Sequence, residues 1–291
     1  MSKSQILKLL ERAAARLGTV SETPNLDAQV LLAEITGKPR TWVMSHLELE
    51  LDANQLASLQ SAMRRLGKGE PLPYVLGHWS FFGLDLEITP EVLIPRPETE
   101  LMVEKALDWL RRRPERRTVA DVGTGSGCIA VALAVHMPDL RLTVTDISPS
   151  ALEVAERNAR KFGVERRITF IECDLLPPHP VPLPTDEHFD LICANLPYIP
   201  TETLQKLRIY GREPSLALDG GPDGLDLIRR LIGLSQEWLA PDGMLLLELE
   251  STQGAAVLSL AYDFFSEAQI RLHQDLAGHD RLLEIHLPAE S

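Results

Sequence analysis

Apolar residues in the first part of the chain recur at helical spacing. Ile6, Leu9, Leu10, Ala13 and Leu17 share a face, and Asn25 to Ile35 repeats the pattern until Gly37 stops it. Asp52 with Gln55 is a capping-box variant: the Asp accepts from the third helical N–H while the Gln reaches back. It opens a helix through Leu56, Leu59, Met63 and Leu66 that Gly67 and Gly69 close. Residues 1–72 thus read as a small helical bundle. Between 73 and 94 the period shortens. Tyr74, Val75, Trp79, Phe81, Phe82, Leu84, Leu86 and Ile88, broken by Gly77 and Gly83, alternate as in a β-hairpin, which we expect to connect two domains.

The third region, 95–291, starts with a helix from about Glu98 to Arg113 and then alternates short β-rich runs with helices. Strands are expected at Thr118 to Val122, Arg141 to Thr145, Ile168 to Cys173, Phe189 to Ala194 and Met244 to Glu250. Helices are expected at Cys128 to His136, Pro149 to Phe162 and Leu225 to Leu239, the second capped by Ser148 with proline at its first position. Such alternation predicts an α/β fold with a mostly parallel sheet and right-handed crossovers. The last two runs, Ala268 to Gln274 and Arg281 to His286, are separated only by Asp275 to Asp280, too few residues for a crossover, so this pair should be antiparallel. Pro177, Pro178, Pro180, Pro182 and Pro184 predict a stiff inserted loop ahead of the fourth strand.

Composition narrows the class. With 291 residues, 44% of them hydrophobic, the chain can bury two cores. Lys and Arg number 29 against 42 Asp and Glu, a net charge of -13 that repels phosphate and excludes a general nucleic-acid coat. The imbalance is local: residues 1–72 carry 9 basic and 8 acidic side chains, net +1, and the remainder 20 and 34, net -14. A near-neutral module in front of an acidic one suits a docking role or a structural cap. Cys128, Cys173 and Cys193 have neither disulfide nor zinc-site spacing and read as buried small hydrophobes, with no metal. No apolar run approaches the roughly 20 residues of a membrane span, and Glu11 and Arg12 interrupt any signal-peptide core, so a cytoplasmic protein is expected.

The chemistry begins at Asp121-Val122-Gly123-Thr124-Gly125-Ser126-Gly127-Cys128, a strand, a glycine turn and a helix start. Glycine serves where φ is positive or a ligand meets bare backbone, and a helix start offers free N–H donors. Alone, such a loop could be a structural turn. Asp146, ending the next strand, stands where a carboxylate accepts from both hydroxyls of a ribose, which favours a nucleoside cofactor. The third glycine of the dinucleotide fingerprint is replaced by Cys128, which weakens a nicotinamide reading. The whole pattern resembles the class I S-adenosylmethionine-dependent methyltransferases, whose Rossmann-like sheet also ends in an antiparallel strand.

At the carboxyl end of the fourth strand stands Asn195-Leu196-Pro197-Tyr198, a polar amide, a proline turn and an aromatic where open α/β sheets bind ligands. It resembles the Asn/Asp-Pro-Pro-Tyr of methyltransferases that act on planar nitrogens. Leu93-Ile94-Pro95-Arg96-Pro97-Glu98-Thr99-Glu100, Glu213 to Gly221 with Asp223 to Asp226, and Asp275 to Arg281 resemble signatures of one family, the HemK/PrmC protein-(glutamine-N5) methyltransferases. That resemblance covers nearly the whole chain. It implies N5-methylation of the glutamine in the Gly-Gly-Gln loop of peptide chain release factors, with residues 1–72 docking that protein substrate. It also implies that Gly123, Thr124, Gly125, Ser126 and Gly127 meet the methionine part of the cofactor, Asp146 the ribose, and Asp174 with Leu175 the adenine. Asn195, Leu196, Pro197 and Tyr198 would hold the glutamine amide, with Arg96 and Glu98 in a loop over the reacting centre. The family usually has proline where this chain has Leu196, which puts the rigidity of the turn in question. Methylation of a ribosomal protein's glutamine stays open, as do the ribosomal RNA adenine methyltransferases, which Asn-Leu-Pro-Tyr also resembles, and a cofactor-binding protein without activity. The RNA reading is opposed by the acidic balance, and no direct nucleic-acid or membrane contact is expected.

Overall fold

A computed structural model describes residues 5–18, 23–176 and 188–289; the proline-rich run at 177–184 lies outside the described residues. The chain divides into two compact units, Met1–His78 and Trp79–Ser291.

The first unit is helical: α1 (Gln5–Leu17), α2 (Pro24–Thr36), α3 (Arg40–Ser45), α4 (Ala53–Gly67) and α5 (Leu72–Leu76). Ile6, Leu10, Ala13 and Leu17 of α1 pack with Leu31 and Leu32 of α2 and Leu59, Met63 and Leu66 of α4 as its core. Gly37, left-handed at φ 62, ends α2. The capping box is present: Gln55 N donates to Asp52 Oδ1 at 2.8 Å and Asp52 N donates to Gln55 Oε1 at 3.0 Å. Tyr74 and Val75, read as part of a strand, lie in α5; Pro71 starts the turn and Gly77, at φ 84, ends it, so the hairpin is shorter than the alternation implied.

That hairpin is β1 (His78–Phe81) and β2 (Leu84–Glu87). A 3-10 turn at Pro97–Thr99 then leads into α6 (Glu100–Arg111), two residues later than expected, because Pro97 sets a tight turn ahead of the regular helix. There follow β3 (Thr118–Val122), α7 (Cys128–His136), β4 (Arg141–Asp146), α8 (Pro149–Lys161), β5 (Ile168–Glu172), β6 (Phe189–Ala194), α9 (Thr201–Leu204), α10 (Asp226–Trp238), β7 (Leu239–Glu248), α11 (Gly254–Phe264), β8 (Gln269–Gln274) and β9 (Asp280–His286). The sheet runs β5-β4-β3-β6-β7-β9-β8. Pairings from β5 to β7 are parallel, while β9 runs antiparallel to both β7 and β8. β7 begins five residues before the expected Met244, since Leu239 pairs with Phe189 and a register shift absorbs the turn-forming Pro241-Asp242-Gly243. Its inner face, Leu245 and Leu247, packs with Ile192 and Ala194 of β6 and Ile228, Leu231 and Ile232 of α10. The apolar centre thereby brings the carboxyl ends of β3, β4, β6 and β7 to one edge.

Candidate functional site

Each of those strand ends carries a polar residue. At β3 the loop turns through Gly123, Gly125 and Gly127, all at positive φ, and Gly123 N and Thr124 N both donate to Thr145 O at 2.9 Å, tying the loop to β4. Asp121 is fully buried beneath it and accepts on Oδ2 from Thr124 Oγ1 (2.7 Å) and Ala130 N (3.2 Å). Burial pushes its carboxyl up to about 6.

Asp146 ends β4. Its Oδ2 accepts from Gly125 N and its Oδ1 from Ser148 N, both at 2.9 Å. Burial again raises the carboxyl. One N–H on each oxygen leaves lone pairs for a ligand, and a diol has the two donors to use them. After β5 the chain turns at Leu175, a buried non-glycine residue in the left-handed region at φ 64, strain of the kind that collects at ligand sites. The Leu175 carbonyl is held there by Thr145 Oγ1 at 2.5 Å.

At β6 stands the Asn195 turn. Asn195 Nδ2 donates to Thr99 Oγ1 at 3.0 Å, and Thr99 Oγ1 donates to Glu248 Oε2 at 2.7 Å. Tyr198 Oη donates to Glu248 Oε1 at 3.3 Å. Among the described residues, neither Asn195 Oδ1 nor the Leu196 carbonyl accepts a hydrogen bond. Leu196 is buried, with Cδ2 only 3.0 Å from where a Cβ on Gly123 would stand, so leucine fills the space above the glycine. The turn is braced from outside: Gln253 Nε2 donates to Tyr198 O at 2.9 Å, and Ile199 pairs with Asp219. Gly220 lies so close that a Cβ there would come within 2.7 Å of Pro197 O and 2.8 Å of Tyr198 Cα. A proline at 196 is therefore not what holds this turn.

A cavity of about 290 Å³ joins these strand ends. Gly123, Thr124, Gly125, Ser126, Asp146, Asp174, Leu175, Asn195, Leu196, Pro197 and Arg96 all line it. Three expected site residues do not. Gly127 caps α7, where a Cβ would meet Ala155 at 3.0 Å; Glu98 is exposed; Tyr198 turns its hydroxyl to Glu248 and packs on the core. Asp174 forms an ion pair with Arg230 at 2.7 Å, and Arg96 one with the buried Glu213 at 2.6 Å. The cysteines differ from the buried trio expected: Cys128 and Cys173 line the cavity, and Cys193 alone of the three is wholly buried. Thr99, Ile147, Leu216 and Arg230 also line it, and the sequence reading gave none of them a site role. Glu248, at the end of an apolar strand, carries the same signal that singled out Asp146, a carboxylate at the sheet's carboxyl edge, although Glu250 two residues on carries it too.

Among the described residues no helix is long and apolar enough to cross a membrane, and no group of three or more His, Cys, Asp or Glu could hold a metal ion. Residues 8–77 match the family described as PrmC N-terminal domain, and residues 119–209 match that described as Methyltransferase domain. A release factor glutamine methyltransferase of Moorella thermoacetica is 44% identical over 261 residues, covering 89% of this chain and 90% of that protein. Another, of Coxiella burnetii, is 38% identical over 282 residues and covers 96% and 97%. The solved N-terminal domain of human METTL16 in complex with SAH shares the fold, with a TM-score of 0.53 at 15% identity over 89% of this chain and 94% of that one. On this likeness along nearly its full length, the chain belongs to the release factor glutamine methyltransferases, class I enzymes that use S-adenosylmethionine.

Proposed function

We propose that the Asn195 turn is the receptor for the substrate glutamine and that the cavity between Gly123 and Leu175 holds the cofactor. The single observation that carries this reading is the pair of unused acceptors at the turn, Asn195 Oδ1 and the Leu196 carbonyl, in residues that line the same cavity as the glycine loop. A glutamine amide is a poor nucleophile because its lone pair is delocalised into the carbonyl. Two acceptors that each take one amide N–H fix the plane of that group and favour the positive charge that develops on nitrogen. The nitrogen becomes acidic only as it is alkylated, so no strong base is needed beforehand.

Asp146 suits a ribose diol, and the bare backbone of Gly123 to Ser126 suits the methionine portion. Leu175 and Asp174 border the place for adenine, with the Asp174–Arg230 pair at its mouth. Gly127 supports the loop from behind rather than meeting the ligand. When bound, S-adenosylmethionine supplies a methyl group on a sulfonium. The protein's part is to aim the amide, exclude water and supply acceptors. Tyr198 contributes through Glu248 and the core rather than as a wall of the cavity. Arg96, anchored by Glu213, borders the entrance, and Glu98 lies on its outer surface.

The protein substrate is a release factor, and its Gly-Gly-Gln loop carries the target glutamine. The near-neutral helical unit docks that partner. Work on a translation factor places the enzyme in the cytoplasm, and the acidic second unit disfavours direct nucleic-acid binding. Mass spectrometry of a purified release factor after incubation with enzyme and cofactor tests the reading: a gain of about 14 Da on that glutamine is expected, one methylene's mass. Transfer to RNA, or to no partner, would overturn it.

A further inference from the structure

Glu248 is only 1% exposed and belongs to none of the motifs that mark the cofactor or substrate sites. Its two oxygens are divided between two hydroxyls, Thr99 Oγ1 on Oε2 and Tyr198 Oη on Oε1. A hydroxyl has one proton to give, and an ionised carboxylate can only accept. Thr99 therefore gives its proton to Glu248 and can only accept from Asn195. The Asn195 amide must turn its nitrogen to Thr99, which leaves Oδ1 for the cavity. The hydrogen-bond chain has a direction, and its buried end sets it.

Resting on the reading of Asn195 as an acceptor for the substrate amide, we propose that Glu248, acting through Thr99, is the positioning residue that decides which end of the Asn195 side chain faces the glutamine. With Glu248 ionised, the cavity sees a carbonyl oxygen. With Glu248 protonated, the chain can reverse: the Glu248 O–H donates to Thr99 Oγ1, the Thr99 hydroxyl donates to Asn195 Oδ1, and Asn195 Nδ2 meets the substrate's own N–H. Two donors then face each other, and the amide is no longer held.

The groups around Glu248 put this reversal within reach of ordinary pH. Burial raises its carboxyl most, and Glu98 on the 3-10 turn adds to the rise. Thr99, Arg281 of β9 and Tyr198 oppose it, and the balance stands at about 7. Cys128 at the start of α7 also faces this cluster, its thiol pushed up to about 12 by burial and by neighbouring acids that include Glu248.

The test is kcat and KM for a release factor across pH 5.5 to 8.5 (roughly the range in which a buried carboxyl of this kind titrates), for wild type, Glu248→Gln, Thr99→Val and Thr99→Ser. Wild-type kcat should fall about tenfold per pH unit on the acid side. Glu248→Gln offers a donor and an acceptor together and cannot fix the direction; kcat should drop at least about tenfold and the acid limb should flatten, with cofactor Kd by calorimetry within about twofold. Thr99→Val cuts the chain and should show a similar loss, whereas Thr99→Ser keeps the hydroxyl and should recover most of it. Apart from turnover, difference infrared spectra of the wild type should show a protonated-carboxyl band that titrates near neutrality and is missing from Glu248→Gln.

An unchanged kcat and acid limb in Glu248→Gln would overturn the proposal. Should that variant fail to fold, equal turnover in Thr99→Val and Thr99→Ser would overturn it as well. The two levels are separable: near-normal turnover in Asn195→Ala defeats the amide receptor itself, while its loss beside normal Glu248 and Thr99 variants defeats only the relay.

Discussion

The carboxylates at the carboxyl ends of β3, β4 and β7 and the one at the start of β6 are used in opposite ways. At the carboxyl edge, Asp121, Asp146 and Glu248 form no ion pair among the described residues; their partners are hydroxyls and backbone N–H groups, and burial raises all three. At the amino edge, Asp190 at the start of β6 is also pushed up by burial, but four donated hydrogen bonds overcome it. Arg117 N (2.8 Å) and Thr118 N (2.9 Å) donate to Oδ2, Thr118 Oγ1 donates to Oδ2 at 2.7 Å, and Arg116 Nη1 donates to Oδ1 at 3.0 Å and pairs with it as a cation; the net shift is downward. Asp242 nearby accepts from Arg113 Nε at 3.4 Å and stands 2.9 Å from His286 Nε2. An acid wrapped in cations and amides has no capacity left for a ligand and ties strands together. An acid kept short of partners is costly to the fold and available to chemistry.

The largest effect that would break this comparison is at Asn195. Asn195→Ala removes one of two acceptors for the amide, so kcat should fall by about a hundredfold or more while cofactor affinity is kept. Methyl transfer with labelled cofactor and calorimetry read the two quantities separately. At the opposite end, Asp190→Ala should cost about 3 kcal/mol of stability in urea unfolding, because it strips partners from an arginine and two backbone groups. Turnover per folded molecule should stay at the wild-type level. A catalytic defect there, with stability intact, would erase the division of labour.

Asp146→Ala should weaken the cofactor's dissociation constant by about thirtyfold, roughly 2 kcal/mol for a charge-assisted pair of hydrogen bonds. An unchanged constant would remove Asp146 from the site. The smallest effect concerns Asp121. Its folded carboxyl stands at about 6 against 3.8 when exposed, so the folded state holds its proton longer than the unfolded chain. Wild-type stability from this group is complete below about pH 4 and is lost as pH rises through 6. Asp121→Asn escapes that loss and should be more stable than wild type by about 1 to 2 kcal/mol at pH 8, with no gain near pH 4. Urea midpoints at the two pH values compare them.

Much of this was legible in the sequence because it is local. The apolar runs of β3 and β6, the capping box at Asp52 and the short turn before Asp280 each state their structure within a few residues, and the final antiparallel pair follows from turn length alone. The motifs Gly123 to Gly127 and Asn195 to Pro197 also announced the cavity. What stayed hidden is what distance in sequence conceals. Thr99 and Glu248 are 149 positions apart, and only the packed sheet shows that they share a proton. Tyr198 sits inside the motif yet serves the core, since its neighbour Leu196 occupies the room above Gly123. Helix α11 escaped prediction because its own N-cap, Gln253, makes no side-chain cap hydrogen bond and a glycine stands first in the helix.

The clasp at Ile199 and Asp219 closes both ends of the excursion that carries α9. Behind that closure the Asn195 turn is braced by Gln253 and by the close approach of Gly220. The same excursion is also part of the cavity's own wall, because Glu213 holds Arg96 and Leu216 lines the interior, so a change in its length would be felt where the ligand enters.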